Sequence, residues 1–450
     1  MPAQRIRVVA LALGVTLVAE AVLLAVLLGY DNLLHYSEAQ LLVSLSAPVW
    51  VLAVFLLWRL RLEPRHAALL VLGAAAVFQL VAVMHQPSTS DDDYRYVWDA
   101  KVQFANIDPY RYPPSASQLA HLREPFLFGS GDVCLHKFPS GCTSINRPTV
   151  RTVYPPVAEA AFDAMRVASF GGRGGHLPLQ LFGALGSLLI AWLLLRRTQP
   201  WLAAVWAWCP VVAIEYANNA HVDWLAVLLV VLALSARRVW TAGVLVGAAI
   251  AVKIYPVLVL PALMRRSWLA AVAAVAFVAL VYVPHVLAVG SAVIGYLPGY
   301  LHEEKYGSGA RLLLLGAVLP HPADTVVAVL IILAVGLWAW LRGPVDAPAR
   351  SAVVVVGVAL AVFTPHYGWY AGVLLALVAL SGALEWVPIV FAGTFAYLVH
   401  SDHDRAIYLV AALLSVAVAL VRHADSLRRC LRSISRGTDR SRSSPSTPRR

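Results

Sequence analysis

Long apolar runs recur along the chain and limit what it can fold into. They are about 17 to 25 residues long and lack the strict alternation of barrel strands, so each matches a helix that crosses a hydrocarbon core of about 30 Å. Hydrophobic residues make up 60% of the 450 residues and charged residues 13%, against about 25% charged in an ordinary soluble domain. The sequence therefore predicts an all-α polytopic membrane protein.

Short basic connections between the runs set the predicted orientation, because positive loops stay in the cytoplasm. This rule gives about twelve crossings, with both termini in the cytoplasm and one large outer loop. We divide the chain into N-terminal transmembrane helices (1–84), an extracytoplasmic loop with short helices (85–153), a transmembrane bundle with an outer-face site (154–421) and a disordered basic cytoplasmic tail (422–450).

Two apolar segments do not fit full crossings. One, 154–170, begins with two prolines, and the other, 240–263, is broken at Lys253-Ile254-Tyr255-Pro256. Proline removes a helix hydrogen bond, and irregular backbone at membrane depth needs protein or a watery cavity around it. Both segments are predicted to be re-entrant or interfacial helices.

The net charge of +11 does not indicate a nucleic-acid partner, because much of it lies in one place. The tail after residue 421 carries nine arginines against two aspartates. Such a segment beside a membrane matches anionic lipid headgroups. Membrane lipid is therefore the predicted partner of this charge.

Cys134 and Cys142 share one polar loop, and their separation allows a disulfide if the loop lies in an oxidising compartment. The spacing of the four cysteines does not match a zinc site. Acceptor recognition is one role open to this loop.

A block of three consecutive carboxylates, Asp91, Asp92 and Asp93, follows the third apolar run. Like charges at the foot of a membrane helix repel one another and gain nothing from lipid, so anchoring does not explain them. A carboxylate can deprotonate an acceptor hydroxyl while nearby basic groups hold a leaving phosphate. The block is therefore a candidate site for group transfer.

Structural roles remain open for each of the polar residues that we single out. The aspartates could cap a helix start, Lys253 could extend its amine to the interface, and Asn218, Asn219 and Asp223 could join helices. His366 could belong to an interfacial aromatic belt, and the arginines of the outer loop could bind headgroups instead of substrate. The arginines in question are Arg147 and Arg151.

Four segments together resemble a known family. They are DDDYRYVWDAKVQFANIDPYRYPP (91–114), INRPTVRTVYPPVAEA (145–160), NNAHVD (218–223) and AVKIYPVLVLP (251–261). In this order they resemble the GT-C superfamily of membrane glycosyltransferases, and within it glycosyltransferase family 87, which includes polyprenyl-phosphate-mannose-dependent mannosyltransferases. The resemblance implies a GT-C-like bundle of about twelve transmembrane helices plus re-entrant or interfacial helices.

The resemblance also implies a general base. In the family the first large outer loop carries a catalytic aspartate, and a tyrosine shortly after it precedes a short helix that ends at a DPY-like turn. Asp92, Tyr96 and residues 108–110 stand in these places. Asp92 is therefore predicted to be the base, with Asp91 second, because the triple aspartate leaves the match ambiguous by one residue.

Other residues receive predicted roles in the same way. Tyr154 begins the helix predicted to line the lipid entrance. The residues predicted to bind donor phosphate or lipid are Lys253, Arg147, Arg151, Lys305 and Tyr154. The residues predicted to bind acceptor or sugar are Tyr96, Asn218, Asn219, Asp223 and His366.

We therefore predict an inverting membrane glycosyltransferase of the plasma membrane. It moves a hexose, with mannose as first choice, from a polyprenyl-phosphate-linked donor to a glycan or glycolipid hydroxyl on the outer face. The rivals are an arabinosyl- or glucosyltransferase of the same fold, a lipid-linked glycan flippase or transporter, and an assembly subunit without catalysis. No cofactor and no metal is predicted, since ligand spacing for a divalent cation is not evident.

Overall fold

A computed structural model describes residues 3–30, 33–129, 134–168, 175–399 and 403–442. Helices dominate these ranges, and one two-stranded hairpin is the only sheet within them. This agrees with the prediction from the apolar runs, because a helix satisfies its backbone hydrogen bonds internally where no water is available.

Three long helices come first. They are α1 (Ala3–Leu28), α2 (Ser37–Leu60) and α3 (Pro64–Val83). The α3 helix starts with proline at its first position, and the Glu63 carboxylate accepts the Arg65 backbone N–H at 3.0 Å. The helices pack on one another, and a short 3₁₀ turn (Leu33–His35) links α1 to α2.

The segment after α3 folds into a compact module at one end of the bundle. Its regular elements are α4 (Asp92–Phe104), a 3₁₀ helix (Ser117–Leu122), strands β1 (His136–Phe138) and β2 (Gly141–Thr143), and α5 (Pro156–Ala168). The strands are antiparallel with Lys137 opposite Cys142. Buried Trp98, Leu119, Leu127 and Ile145 form the core of the module.

The central part of the bundle contains an irregular crossing. Its helices are α6 (Leu177–Leu195), α7 (Pro200–Ala207), α8 (Pro210–Val212), α9 (Asp223–Ser235) and α10 (Val239–Ile250). The chain bends by 47° between α7 and the stretch that begins with α8, and continues as a π-helix (Ala213–Asn218). Such π segments are rare and concentrate at functional sites.

After α10 the helix breaks where the sequence predicts, around Lys253. A 3₁₀ helix (Tyr255–Val259) and α11 (Leu260–Met264) follow, then α12 (Leu269–Val289), a 3₁₀ turn (Gly290–Ile294) and α13 (Leu297–Glu303). Proline at position 256 and again in α11 explains why no continuous helix forms there.

The remaining helices complete the bundle. They are α14 (Ala323–Arg342), α15 (Pro348–Phe363), α16 (Gly372–Ser381), α17 (Val387–Val399) and α18 (Asp404–Arg442), with 3₁₀ turns at Tyr306–Ser308, Gly368–Ala371 and Leu384–Trp386. The helical course of α18 to Arg442 differs from the disorder predicted from residue 422. Leucine and arginine are good helix formers, and the helix simply continues from the apolar segment. Residues 443–450 lie outside the described ranges.

In the described part of the chain, seven helices are long and apolar enough to cross a membrane, or eight if the bent pair counts as one crossing. Six further apolar helices of 10–17 residues pack within the bundle. The chain is thus a multi-pass helical membrane protein, and the figure of twelve crossings stays a prediction.

Candidate active site

The three consecutive aspartates lie where α4 begins. Asp91 occupies the N-cap position, yet its side chain makes no capping hydrogen bond; instead the Ser90 hydroxyl accepts the backbone N–H of Asp92 at 3.2 Å. Capping therefore does not account for the carboxylates. Successive residues of a helix point in directions about 100° apart, and each carboxylate here has a different environment.

Asp91 faces the hairpin. One of its carboxylate oxygens is bonded to Nε2 of His136 in β1, and the other accepts from the Asn146 side chain at 3.0 Å. A disulfide joins Cys134 to Cys142, opposite the middle of β1. The hairpin thus brings a histidine to the aspartate cluster.

Asp92 lies at the centre of the arrangement with 17% of its side chain exposed. Its Oδ1 accepts from Asn146 Nδ2 at 2.6 Å, and its Oδ2 accepts from the Tyr154 hydroxyl at 3.0 Å. Nε2 of His221 is 3.9 Å from Oδ2. Both oxygens are therefore fixed, while one side of the group stays open.

The charge state of Asp92 follows from its neighbours. Burial raises the pKa of Asp92, but the positive charges of His221 and Lys253 outweigh that effect, helped by the Asn146 hydrogen bond and by Arg147. The pKa of Asp92 consequently lies below its usual value, so the carboxylate is ionised at neutral pH.

Asp93 is fully buried and contacts Nδ1 of His176, the residue before α6. Burial raises the pKa of Asp93, and the hydrogen bond and charge of His176 only partly offset this. The Tyr94 ring meets the His176 ring edge-on at 4.8 Å. Asp93 thus connects α4 to α6 and has no surface on which to meet a substrate.

Lys253 lies at the break after α10, beside the aspartate site. Its Nζ is 3.3 Å from Oδ2 of Asp223, the first residue of α9, and lies over the rings of Tyr154 (5.3 Å) and Tyr370 (5.7 Å). Only 15% of the lysine side chain is exposed. The lysine is therefore held in a buried pair and does not extend to an interface.

Arg147 is the second cation near Asp92. It forms a bidentate pair with Glu303 of α13, with Nε at 3.0 Å and Nη2 at 2.8 Å from Oε1, and its guanidinium lies 5.6 Å from the centre of the Tyr300 ring. Its backbone has φ of +46°, a conformation that costs energy outside glycine. Such strain is concentrated at functional sites.

The other two predicted phosphate ligands lie further out. Arg151 is exposed, and its Nε donates to the Arg111 carbonyl at 3.2 Å. Lys305 is exposed on the turn after α13, with φ of +57°. The structure therefore brings Lys253 and Arg147 together around Asp92, but not these two side chains.

The predicted sugar-binding residues have mostly structural contacts. Asn218 and Asn219 are fully buried, and their side chains bond the backbone of residues 85–89, including Ser88 N–H at 3.1 and 3.0 Å. They thus fix the segment that leads into the aspartates, which is the joining role left open by the sequence. Tyr96 is buried beneath the site and stacks on Phe162 at 4.4 Å.

His366 lies in a group of aromatic side chains. Its Nδ1 is 3.0 Å from Asp404, and its ring contacts Tyr367 and Tyr397. Tyr367 in turn stacks on Trp369 at 4.5 Å and donates its hydroxyl to Glu304 at 2.7 Å. Trp369 also stacks on His221, which faces Asp92, so this group lies next to the aspartate site.

Sequence reasoning missed several residues of the site. His136, His176 and His221 each face one of the aspartates, and Asn146 bridges two of them. His221 carried a signal, since it lies inside the NNAHVD segment, whereas His136 was marked only by its place between the two loop cysteines. Among the described residues, no group of three His, Cys, Asp or Glu side chains is arranged to hold a metal ion.

The fold and this site define a class: a helical membrane protein with an ionised carboxylate beside fixed cations. Against models of known families, the model of glycosyltransferase family 87 matches residues 153–365. This match supports glycosyltransferase family 87, a GT-C-type family, and with it a membrane glycosyltransferase that takes a sugar donor and an acceptor. No curated protein and no solved structure matches the chain.

The match includes Tyr154, Lys253 and the NNAHVD segment, but it begins after the aspartates and ends before His366. The family assignment therefore rests on the bundle. Roles for Asp91 and Asp92 rest on the geometry described above.

Proposed function

We propose that this glycosyltransferase transfers a hexose, mannose first, from a polyprenyl-phosphate-linked donor to a hydroxyl of a glycan or glycolipid. The reaction takes place at the extracytoplasmic face of the plasma membrane, with both termini in the cytoplasm. The orientation follows from the positive-inside rule applied to the short basic connections.

One observation carries the proposal: Asp92 is an ionised carboxylate with both oxygens held and one side open, in the field of two fixed cations. A general base must be deprotonated, oriented and reachable by the acceptor hydroxyl. Anion-binding groups must stand where negative charge develops on the leaving phosphate. Asp92, Lys253 and Arg147 meet these requirements together.

The proposed reaction is a single displacement. Asp92 accepts the proton of the acceptor hydroxyl as that oxygen forms a bond to the anomeric carbon. The bond from this carbon to the phosphate oxygen breaks, and its electron pair leaves with the lipid phosphate. Attack from the side opposite the leaving group inverts the anomeric configuration.

Lys253 is the proposed partner of the leaving phosphate. Its amine is held between Asp223 and the rings of Tyr154 and Tyr370, so its position is set before the donor arrives. A fixed positive charge stabilises developing negative charge without the cost of reorienting at the moment of reaction. Arg147 supplies a second, planar donor suited to phosphate.

The test measures transfer of radiolabelled sugar by purified protein in lipid, from polyprenyl-phosphate mannose to an extracted glycolipid fraction. The Asp92→Asn variant is expected to lose about 100-fold or more of the transfer rate, since a general base contributes at least this much. The matched control is Asp346→Asn, which alters an exposed carboxylate in the turn between α14 and α15 and leaves the rate unchanged.

The other outcomes separate the rival functions. Equal transfer by wild type and Asp92→Asn contradicts the role of Asp92. Transfer only from an arabinose- or glucose-linked donor changes the sugar and keeps the mechanism. Absence of transfer from all three donors, with translocation of a labelled lipid-linked glycan across vesicles, supports the flippase.

A further inference from the structure

His221 is a buried histidine of the site to which the proposed reaction gives no role. It is fully buried in the turn before α9, and its ring stacks on Trp369 with 4.0 Å between centres. The preceding residue, Ala220, has φ of +55°. Since a non-glycine residue in this region is strained, the surrounding structure must hold the turn in the form that orients the histidine.

One nitrogen of the His221 ring, Nδ1, is held by Glu215. Nδ1 is 3.2 Å from the Glu215 carboxylate and 3.1 Å from the Glu215 carbonyl. Glu215 belongs to the π-helix Ala213–Asn218, which displaces the helix register at this point. A buried carboxylate in this place holds the ring in one orientation.

The other nitrogen faces the proposed base. Nε2 is 3.1 Å from the Ser90 hydroxyl and 3.9 Å from Oδ2 of Asp92. The Ser90 hydroxyl also accepts the backbone N–H of Asp92. His221 therefore interacts with Asp92 in two ways. Its charge lies close to the Asp92 carboxylate, and its ring contacts the Ser90 hydroxyl that accepts the backbone N–H of Asp92.

We propose that His221, oriented by Glu215, is a positioning residue that fixes Asp92 for proton transfer. The inference rests on the proposed function of Asp92. Full burial under Trp369 keeps substrate away from the imidazole, so His221 acts on the reaction only through Asp92.

The charges around the pair support this role. Burial lowers the pKa of His221, but the hydrogen bond and charge of Glu215 outweigh it, with Asp92 and Asp223 adding to the effect. The pKa of His221 is therefore raised, which favours the positively charged ring beside Asp92. The other charges that face Asp92 are Lys253, Arg147, Asp91 and Asp93.

The test is the pH profile of kcat/KM for transfer by wild type, His221→Gln and Glu215→Gln. We expect His221→Gln to lower kcat by up to about 100-fold, because misplacing a reacting group can cost this much, with little change in donor KM. The acid limb of its profile moves to higher pH, because Asp92 has lost a neighbouring positive charge.

Glu215→Gln is expected to move the limb in the same direction by less, and the double variant to be no worse than His221→Gln alone. The control is His66→Gln, an exposed histidine at the start of α3. If His221→Gln lowers kcat but leaves the acid limb of the pH profile unchanged, His221 has only a structural role, and the proposal is overturned.

A second measurement does not depend on activity. The infrared band of the protonated Asp92 carboxyl, isolated by subtracting the spectrum of Asp92→Asn, reports its titration directly. We expect this titration to move to higher pH in His221→Gln. If the titration of the band is unchanged in His221→Gln, the proposal about His221 is contradicted, even if the sugar substrate has been assigned wrongly. If the titration shifts but no transfer is detected, only the proposed function is rejected.

Discussion

Each of the three consecutive aspartates faces its own histidine. Asp91 has 29% of its side chain exposed, Asp92 17% and Asp93 none. Exposure therefore distinguishes three residues that are adjacent and identical in the sequence. Asp93 is buried and links two helices, whereas Asp91 and Asp92 are partly exposed. Only Asp92 also receives the Tyr154 hydroxyl, which makes it the better oriented of the two.

Ala220 stores strain in the turn that presents His221. With φ of +55°, it is expected to gain about 1 kcal/mol of folding stability when changed to glycine, which adopts this conformation without penalty. Ala220→Gly should therefore raise the melting temperature of the detergent-solubilised protein while the transfer rate is retained.

The matched comparison is Ala226→Gly, inside α9 and equally buried. Glycine in a helix interior costs about 1 kcal/mol, so its melting temperature should fall. Equal falls in both variants would mean that the turn around residue 220 is not strained.

The hairpin β1–β2 carries His136 to Asp91. Its register places Lys137 opposite Cys142, and the disulfide ties Cys134 next to the strand that carries His136. The hairpin has three residues in each strand, and a two-stranded sheet of this kind is marginal without support. The disulfide therefore supports the position of His136 against Asp91.

Replacing both cysteines with serine is expected to lower transfer about tenfold, within the loss of up to about 100-fold that misplacing a group at the site can cause. The melting temperature should change little, because the bundle core lies elsewhere. The measurement is kcat/KM with and without reductant, together with the His136→Ala variant. A reductant effect that persists in the double serine variant would assign the redox response to another cysteine.

A buried carboxyl pair joins α4 to α5 within the loop module and ties the stability of the fold to pH. Asp99 and Glu159 are hydrogen-bonded to each other, and Glu159 also accepts from Thr152 at 2.7 Å and Gln103 at 3.0 Å. Burial raises the pKa of Glu159 well above its usual value, and the charge of Asp99 adds to the shift.

A carboxyl with a raised folded pKa contributes its full stability below the unfolded pKa of about 4.3, and loses it as pH rises through the folded pKa. The melting temperature of the wild type should therefore fall as the pH rises above about 4.3, the unfolded pKa. Glu159→Gln should flatten this fall, whereas Glu38→Gln, an exposed carboxylate on α2, should not. Parallel curves for wild type and Glu159→Gln would rule out Glu159 as the cause.

Much of the fold could be predicted from the apolar runs, because a run of that length has few alternatives to a helix. The break at Lys253 could also be predicted, since proline interrupts the helix there. The number of full crossings could not be predicted. Helices such as α9 and α16 are as apolar as the spans, and only the structure shows that they are shorter.

The site itself was predicted in part. The aspartate block and Lys253 were visible as charges in an apolar context. The structural use of Asn218 and Asn219, and the pairing of each aspartate with a histidine, depend on contacts between distant segments, which local patterns do not encode. Long-range packing decided which polar groups face the opening.

The order of these partners along the chain has a consequence for biogenesis. The three aspartates are synthesised first, and His136, His176 and His221 follow in three later segments, the last beyond the bent crossing of α7 and α8. Until then the nascent loop carries uncompensated negative charge, which favours water over lipid. Each aspartate meets its histidine only when that later segment docks, so a complete set of three pairs records that the chain has folded at least as far as the turn before α9.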